Sequence, residues 1–88
     1  MQLIFTKQFD KQTAAITSKE LKIAVREAII NVENANRISD IKNISHLKSS
    51  KTAYRIRIGD YRMGLYIKKN VATFVIFANR KDIYKYFP

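Results

Sequence analysis

The sequence predicts an α+β fold in which an N-terminal strand and a two-helix hairpin pack on one face of an antiparallel β-sheet. Three observations carry this expectation. Apolar residues recur at a helical period up to residue 34, the period changes to two from residue 54 onward, and 88 residues with 47% apolar content suit one compact core but not two. A single domain spanning residues 1–88 is therefore expected.

The elements follow in order. "QLIF" (2 to 5) is a short apolar run and a plausible first strand. Phe5, Phe9 and Ile16 recur at roughly helical spacing through "TKQFDKQTAAI", which predicts a first helix. Thr17 and Glu20 then form a T-x-x-E capping box, with Ile16 and Leu21 at the two positions of a hydrophobic staple. Leu21, Val25, Ala28, Ile29 and Val32 make one continuous apolar stripe, so a second helix is expected over about 18 to 34. Ile23 and Ile30 lie off that stripe and imply a second contact surface, most simply the first helix, although a partner protein fits the same place. Polar "NANRISDIKN" and "SHLKSSKT" read as an irregular loop.

After this loop comes "YRIRIGDYRMGLYIKK". Gly59-Asp60 between two alternating runs signals a two-residue hairpin, with glycine first as a type II′ turn prefers. That register sets Ile58 opposite Tyr61, Ile56 opposite Met63 and Tyr54 opposite Leu65 on an apolar side, and Arg57 opposite Arg62 and Arg55 opposite Gly64 on the other. A second turn near Lys69-Asn70 returns "VATFVIFA" along the sheet, with Phe74 beside Leu65 and Ile76 beside Met63. The helices are expected to cover the apolar side and to leave the cationic side open.

Charge adds a functional direction. The formal net charge is +10, yet residues 1 to 41 carry six Lys/Arg against five Asp/Glu, whereas residues 42 to 88 carry eleven against two. Such polarity favours a polyanionic partner, nucleic acid or an acidic protein segment, because cations neutralise phosphates and release counterions. Simple solubility is the plainer use of the same surplus. Directly opposed arginines repel, so Arg57 facing Arg62 does nothing for the isolated fold. Guanidinium forks on rigid strands do, however, match phosphate oxygens. The lack of a side chain at Gly64, beside Arg55, would leave a shallow floor on which a nucleotide could settle.

Several classes are excluded. No cysteine is present, which removes disulfides, thiolate metal sites and a cysteine nucleophile. A single histidine cannot build a metal site, so neither metal nor cofactor is expected. There is no Gly-rich phosphate loop, carboxylate dyad or nucleophile triad. The start "MQLIFTKQFDK" lacks a leader pattern and no apolar run approaches about 18 residues, which together point to a soluble, cytoplasmic chain without a membrane partner.

The sequence resembles the RelE/ParE superfamily of toxins from bacterial type II toxin-antitoxin modules. The resemblance covers nearly the full chain and is most specific in "LKSSKTAYRIRIGDYRMGLYI" followed by "FVIFANRKDIYKYF". It implies a strand, a helical hairpin and an antiparallel sheet that bears the active surface. It also implies an endoribonuclease that cuts mRNA on the ribosome and is restrained by a cognate antitoxin. By motif position, Arg62 and Arg80 would hold the scissile phosphate, Arg55 and Arg57 would contact phosphate and backbone, and Tyr84 would stack or transfer a proton. Lys48 and Lys81, in the same two motifs, are further candidates for nucleic-acid contact.

The chain also departs from that pattern. Arginine is a poor general base because its pKa lies above about 12. Asn79 stands before Arg80, where many relatives have histidine. The one histidine, His46, precedes Leu47-Lys48, near the region from which some relatives supply a base. Strict alternation puts Asn79, not Arg80, on the cationic side unless the strand ends or bends there. Two alternatives therefore stay open beside the nuclease: a ParE-like inhibitor of DNA gyrase, and an inactive nucleic-acid-binding or protein-binding relative.

Overall fold

The computed structural model describes residues 1–88. Strand β1 (Gln2–Phe5) leads into helix α1 (Lys7–Ala14) and helix α2 (Lys19–Asn34). A 3₁₀ turn (Ile38–Asp40) follows, then β2 (Ile44–His46), β3 (Ala53–Ile58), β4 (Tyr61–Lys68), β5 (Val71–Asn79) and helix α3 (Arg80–Tyr86). The strands form one sheet in the order β1-β5-β4-β3-β2. All its pairings are antiparallel except that of β1, which runs parallel to β5 with Phe5 opposite Phe74.

Local chemistry explains the ends of the elements. The Thr6 hydroxyl accepts the Phe9 N–H at 3.2 Å and donates to the Phe74 carbonyl at 3.1 Å, so one side chain starts α1 and ties it to the sheet. Phe5 belongs to β1, and the Phe5–Phe9 spacing that read as helical spans a strand and the helix after it. The cap of α2 is Ser18, whose Oγ accepts the Leu21 N–H at 3.2 Å, and not the expected Thr17. With the cap one residue later, Glu20 falls in the first turn rather than at the reciprocal capping-box position, where it still complements the helix dipole. The Gly59-Asp60 hairpin has the expected register at every pair, and Gly59 alone of the two has a positive φ, 58°. Lys69 and Asn70, with φ of 49° and 65°, make the second turn.

The core lies between α1, α2 and one face of the sheet. Phe9, Val25, Val32, Ile56, Met63, Leu65, Phe74 and Phe77 are all buried there, and Leu21, Ala28 and Ile29 of the predicted stripe pack against them. Phe5, Phe9 and Phe74 form a mutual cluster, with the Phe74 ring centroid 5.2 Å from Phe5 and 5.3 Å from Phe9. Ile23 and Ile30 stay 44% and 46% exposed, and Ile30 lines one groove with Thr13 and Ala14 of α1.

Two further expectations are corrected. A bulge leaves Val75 unpaired, so Met63 faces Phe77 and Ile76 moves to the opposite face, beside Gly64. That face is not wholly open. The last residues form α3, which packs on β4 and β5 and encloses a second small core of Leu47, Ala53, Ile76, Ile83 and Phe87. The region between α2 and β3 is likewise not all loop. β2 pairs with β3, setting Ser45 opposite Arg55 and His46 opposite Tyr54. No helix is long and apolar enough to cross a membrane.

Candidate nucleic-acid interface

Beside α3, on the face away from the two long helices, a groove of about 340 Å³ is lined by Asn43, Ile44, Ser45, Arg55, Arg57, Arg62 and Tyr84. Alternation along β3 and β4 aims the three arginines here, because their neighbours Ile56, Ile58 and Met63 point into the core. Four of the predicted site residues are thus brought together: Arg55, Arg57, Arg62 and Tyr84.

Each is held differently. Arg62 folds its Nη1 back to donate to the Gly59 and Tyr61 carbonyls, both at 2.8 Å, so the hairpin turn orients its guanidinium. Arg57 donates its backbone N–H to the Asn43 carbonyl at 3.1 Å, and its Nη2 approaches Asn43 Oδ1 at 3.4 Å. Asn43 manages both contacts from a left-handed conformation, φ 61°, which asparagine tolerates better than most residues. Arg55 lies over the ring of Tyr84, 4.6 Å from its centroid. None of the three pairs with a carboxylate, the one ion pair in the molecule being Arg37–Asp40 at 3.9 Å. The groove therefore concentrates positive charge that nothing within the chain neutralises.

The other candidates lie elsewhere. Arg80 and Lys81 open α3 and are exposed; the Arg80 backbone N–H donates to the Asp60 carbonyl at 2.8 Å and the Lys81 N–H to Asn79 Oδ1 at 2.9 Å. The strand does end just before Arg80, at Asn79, yet the bulge shifts parity so that Asn79 pairs with Tyr61, and its side chain caps α3. Lys48 is exposed beyond β2. His46 pairs with Tyr54, whose ring packs toward the main core, and its own ring lies 5.0 Å from that of Tyr54; its Nε2 is 3.2 Å from the Lys51 carbonyl. Its neighbour Ser45 faces the arginines instead. Ser45 is not legible in the sequence because a three-residue strand carries too little alternation to show which side chains face which way, and Asn43 precedes that strand at a left-handed position that no periodicity marks.

Gly64 serves a purpose other than the expected one. It is buried, and a Cβ there would lie 2.5 Å from Ile76 Cγ2 and 2.8 to 2.9 Å from ring atoms of Phe87. The space that a side chain would take is filled by Phe87, so there is no nucleotide floor at this position.

The small mixed sheet with two helices packed on one face is the fold of RelE-like toxins. A chain of the RelB-RelE antitoxin-toxin complex from Methanococcus jannaschii matches at a TM-score of 0.79 and 29% identity, over 97% of this chain and 99% of that one. The archaeal RelE-RelB complex from Pyrococcus horikoshii (TM-score 0.73, 19% identity, 90% and 93% covered) and the intact E. coli RelBE complex (0.71, 16%, 89% and 94%) share the fold. In sequence, the chain is 33% identical over 92 aligned residues to toxin RelE3 of Methanocaldococcus jannaschii, both proteins being covered in full. No protein-family model matches it. This chain belongs to the RelE family of toxins.

Proposed function

We propose that the protein is the toxin of a toxin-antitoxin module and acts as a ribosome-dependent endoribonuclease on mRNA. The observation that carries this reading is the convergence of Arg55, Arg57 and Arg62 on one groove, without a carboxylate, against the exposed ring of Tyr84. In the reaction, a ribose 2′-oxygen bonds to the adjacent phosphorus, the bond from phosphorus to the 5′-oxygen breaks, the 2′-hydroxyl proton departs and the 5′-oxygen takes one up. Charge grows on the phosphoryl oxygens, where three guanidinium groups offer fixed donors. Arg62 is the group best oriented for the scissile phosphate, since the turn carbonyls already hold it. Tyr84 supplies a stacking surface for a base and a hydroxyl able to relay a proton. Arg80 and Lys81 at the start of α3, and Lys48 beyond β2, extend the positive field to more distant phosphates.

A cognate antitoxin restrains the toxin by covering this surface with an acidic or amphipathic segment, a reading supported by the likeness to chains solved in RelB-RelE complexes. A target on the ribosome makes the cytoplasm the place of action. Mapping transcript ends after induced expression tests the proposal: codon-phased breaks are expected, and their absence from growth-arrested cells would overturn it. One observation favours a second reading, inhibition of DNA gyrase. No imidazole or carboxylate lines the groove, so no ordinary general base stands beside the arginines. Loss of supercoiling activity when purified protein is added to gyrase would select that reading.

A further inference from the structure

We infer that Phe87 is a positioning residue for Tyr84: seated in the niche left by Gly64, it clamps α3 to the sheet so that Tyr84 stays over Arg55. Helix α3 has seven residues, too few to be stable alone in water, so its docking depends on the contacts it makes with the sheet. Those contacts are few. Ile83 and Phe87 are buried, whereas Tyr84 and Tyr86 are 69% and 70% exposed. The Phe87 ring closes against Gly64 and Ile76 on one side and meets the Tyr66 ring edge-on, centroids 5.3 Å apart, on the other. Gly64 is the cross-strand partner of Arg55, so the seat of Phe87 adjoins the strand position that carries the stacked guanidinium. Tyr84 precedes Phe87 by three residues, about one helical turn, and so is held by the same clamp. The stacking on Arg55 is itself weak at such an exposed ring and would not hold the helix.

The clamp can be read in the full chain without any assumption about the reaction, whereas its effect on cleavage rests on the proposed function. By NMR, the Arg55 side-chain protons should show an upfield ring-current shift that Tyr84→Leu abolishes. Phe87→Ala should abolish it equally, while the amide signals of β3 and β4 persist. Gly64→Ala, which evicts the ring from the sheet side, should do the same and serves if Phe87→Ala does not fold. In transcript cleavage, Phe87→Ala and Tyr84→Ala should each lower the rate by about 10²-fold. The double variant should lose no more than either single one, since a residue acting through another is not additive with it. An Arg55 shift unchanged by Phe87→Ala and Gly64→Ala, or losses that multiply in the double variant, would overturn the inference. If the shift responds as described but Tyr84→Ala cleaves normally, the clamp stands and the nuclease role of Tyr84 falls.

Discussion

The guanidinium of Arg55 and the ring of Tyr84, 4.6 Å from guanidinium carbon to ring centroid, join β3 to the C-terminal helix across the edge of the cationic groove. Since Tyr84 is 69% exposed, the contact is worth about 0.5 to 1 kcal/mol. An energy that small leaves both partners free to turn to a ligand, the arginine to a phosphate and the ring to a base. The pair thus arranges a site more than it stabilises a fold.

Arg62 should be the most sensitive of the arginines. Arg62→Ala is expected to lower transcript cleavage by about 10² to 10³-fold, the usual cost of removing one preorganised donor from a developing charge. Arg62→Lys should recover little of this, because an ammonium cannot reproduce the planar fork that the turn carbonyls orient. Growth arrest and mapped transcript ends from induced variants provide the measurement.

Salt dependence separates phosphate contact from mere solubility. With three arginines on phosphates, log affinity for single-stranded RNA should fall against log salt with a slope near −2, at about −0.7 per contact. Each single alanine variant of Arg55, Arg57 or Arg62 should flatten the slope by about 0.7. A titration series by fluorescence anisotropy would measure it, and a slope near zero would dismiss the phosphate reading.

Tyr84 has two separable roles. Tyr84→Phe keeps the ring and should bind RNA as the parent does while turning over more slowly, whereas Tyr84→Ala should also weaken binding by about 1 to 3 kcal/mol, the value of one base stack. Equal turnover for Tyr84→Phe and the parent would assign the residue to stacking alone.

Stability offers a check on the helix start. Ser18→Ala should cost about 1 kcal/mol, because the Leu21 N–H loses its side-chain acceptor, while Thr17→Ala should be close to neutral. Urea unfolding of the two variants decides between the observed cap and the T-x-x-E pattern.

Phe74→Ala should be far more damaging, at about 3 to 5 kcal/mol, since the ring is fully buried and packed against both Phe5 and Phe9. Thermal denaturation would register this as a large fall in Tm.

How far the residues alone reach can be judged from particular positions. Strands joined by a two-residue turn have one strongly preferred register, so the Gly59-Asp60 signal was enough to pair Arg57 with Arg62 and Arg55 with Gly64, as found. The apolar stripe of α2 was equally legible, because a 3.6-residue period needs only local spacing. Non-local choices were not legible. The bulge at Val75, which reversed the facing of Ile76 and Asn79, leaves no mark in an alternating apolar run, and two adjacent capping residues differ only in which backbone N–H they can reach. The use of Gly64 was hidden for the same reason: a missing side chain shows where space exists, and only the folded chain shows that Phe87, 23 positions later, occupies it. Periodicity and turn chemistry act between near neighbours, and they placed the arginines on one wall. Which distant residues close that wall, and which stay beside the arginines, depends on packing among segments far apart in the chain.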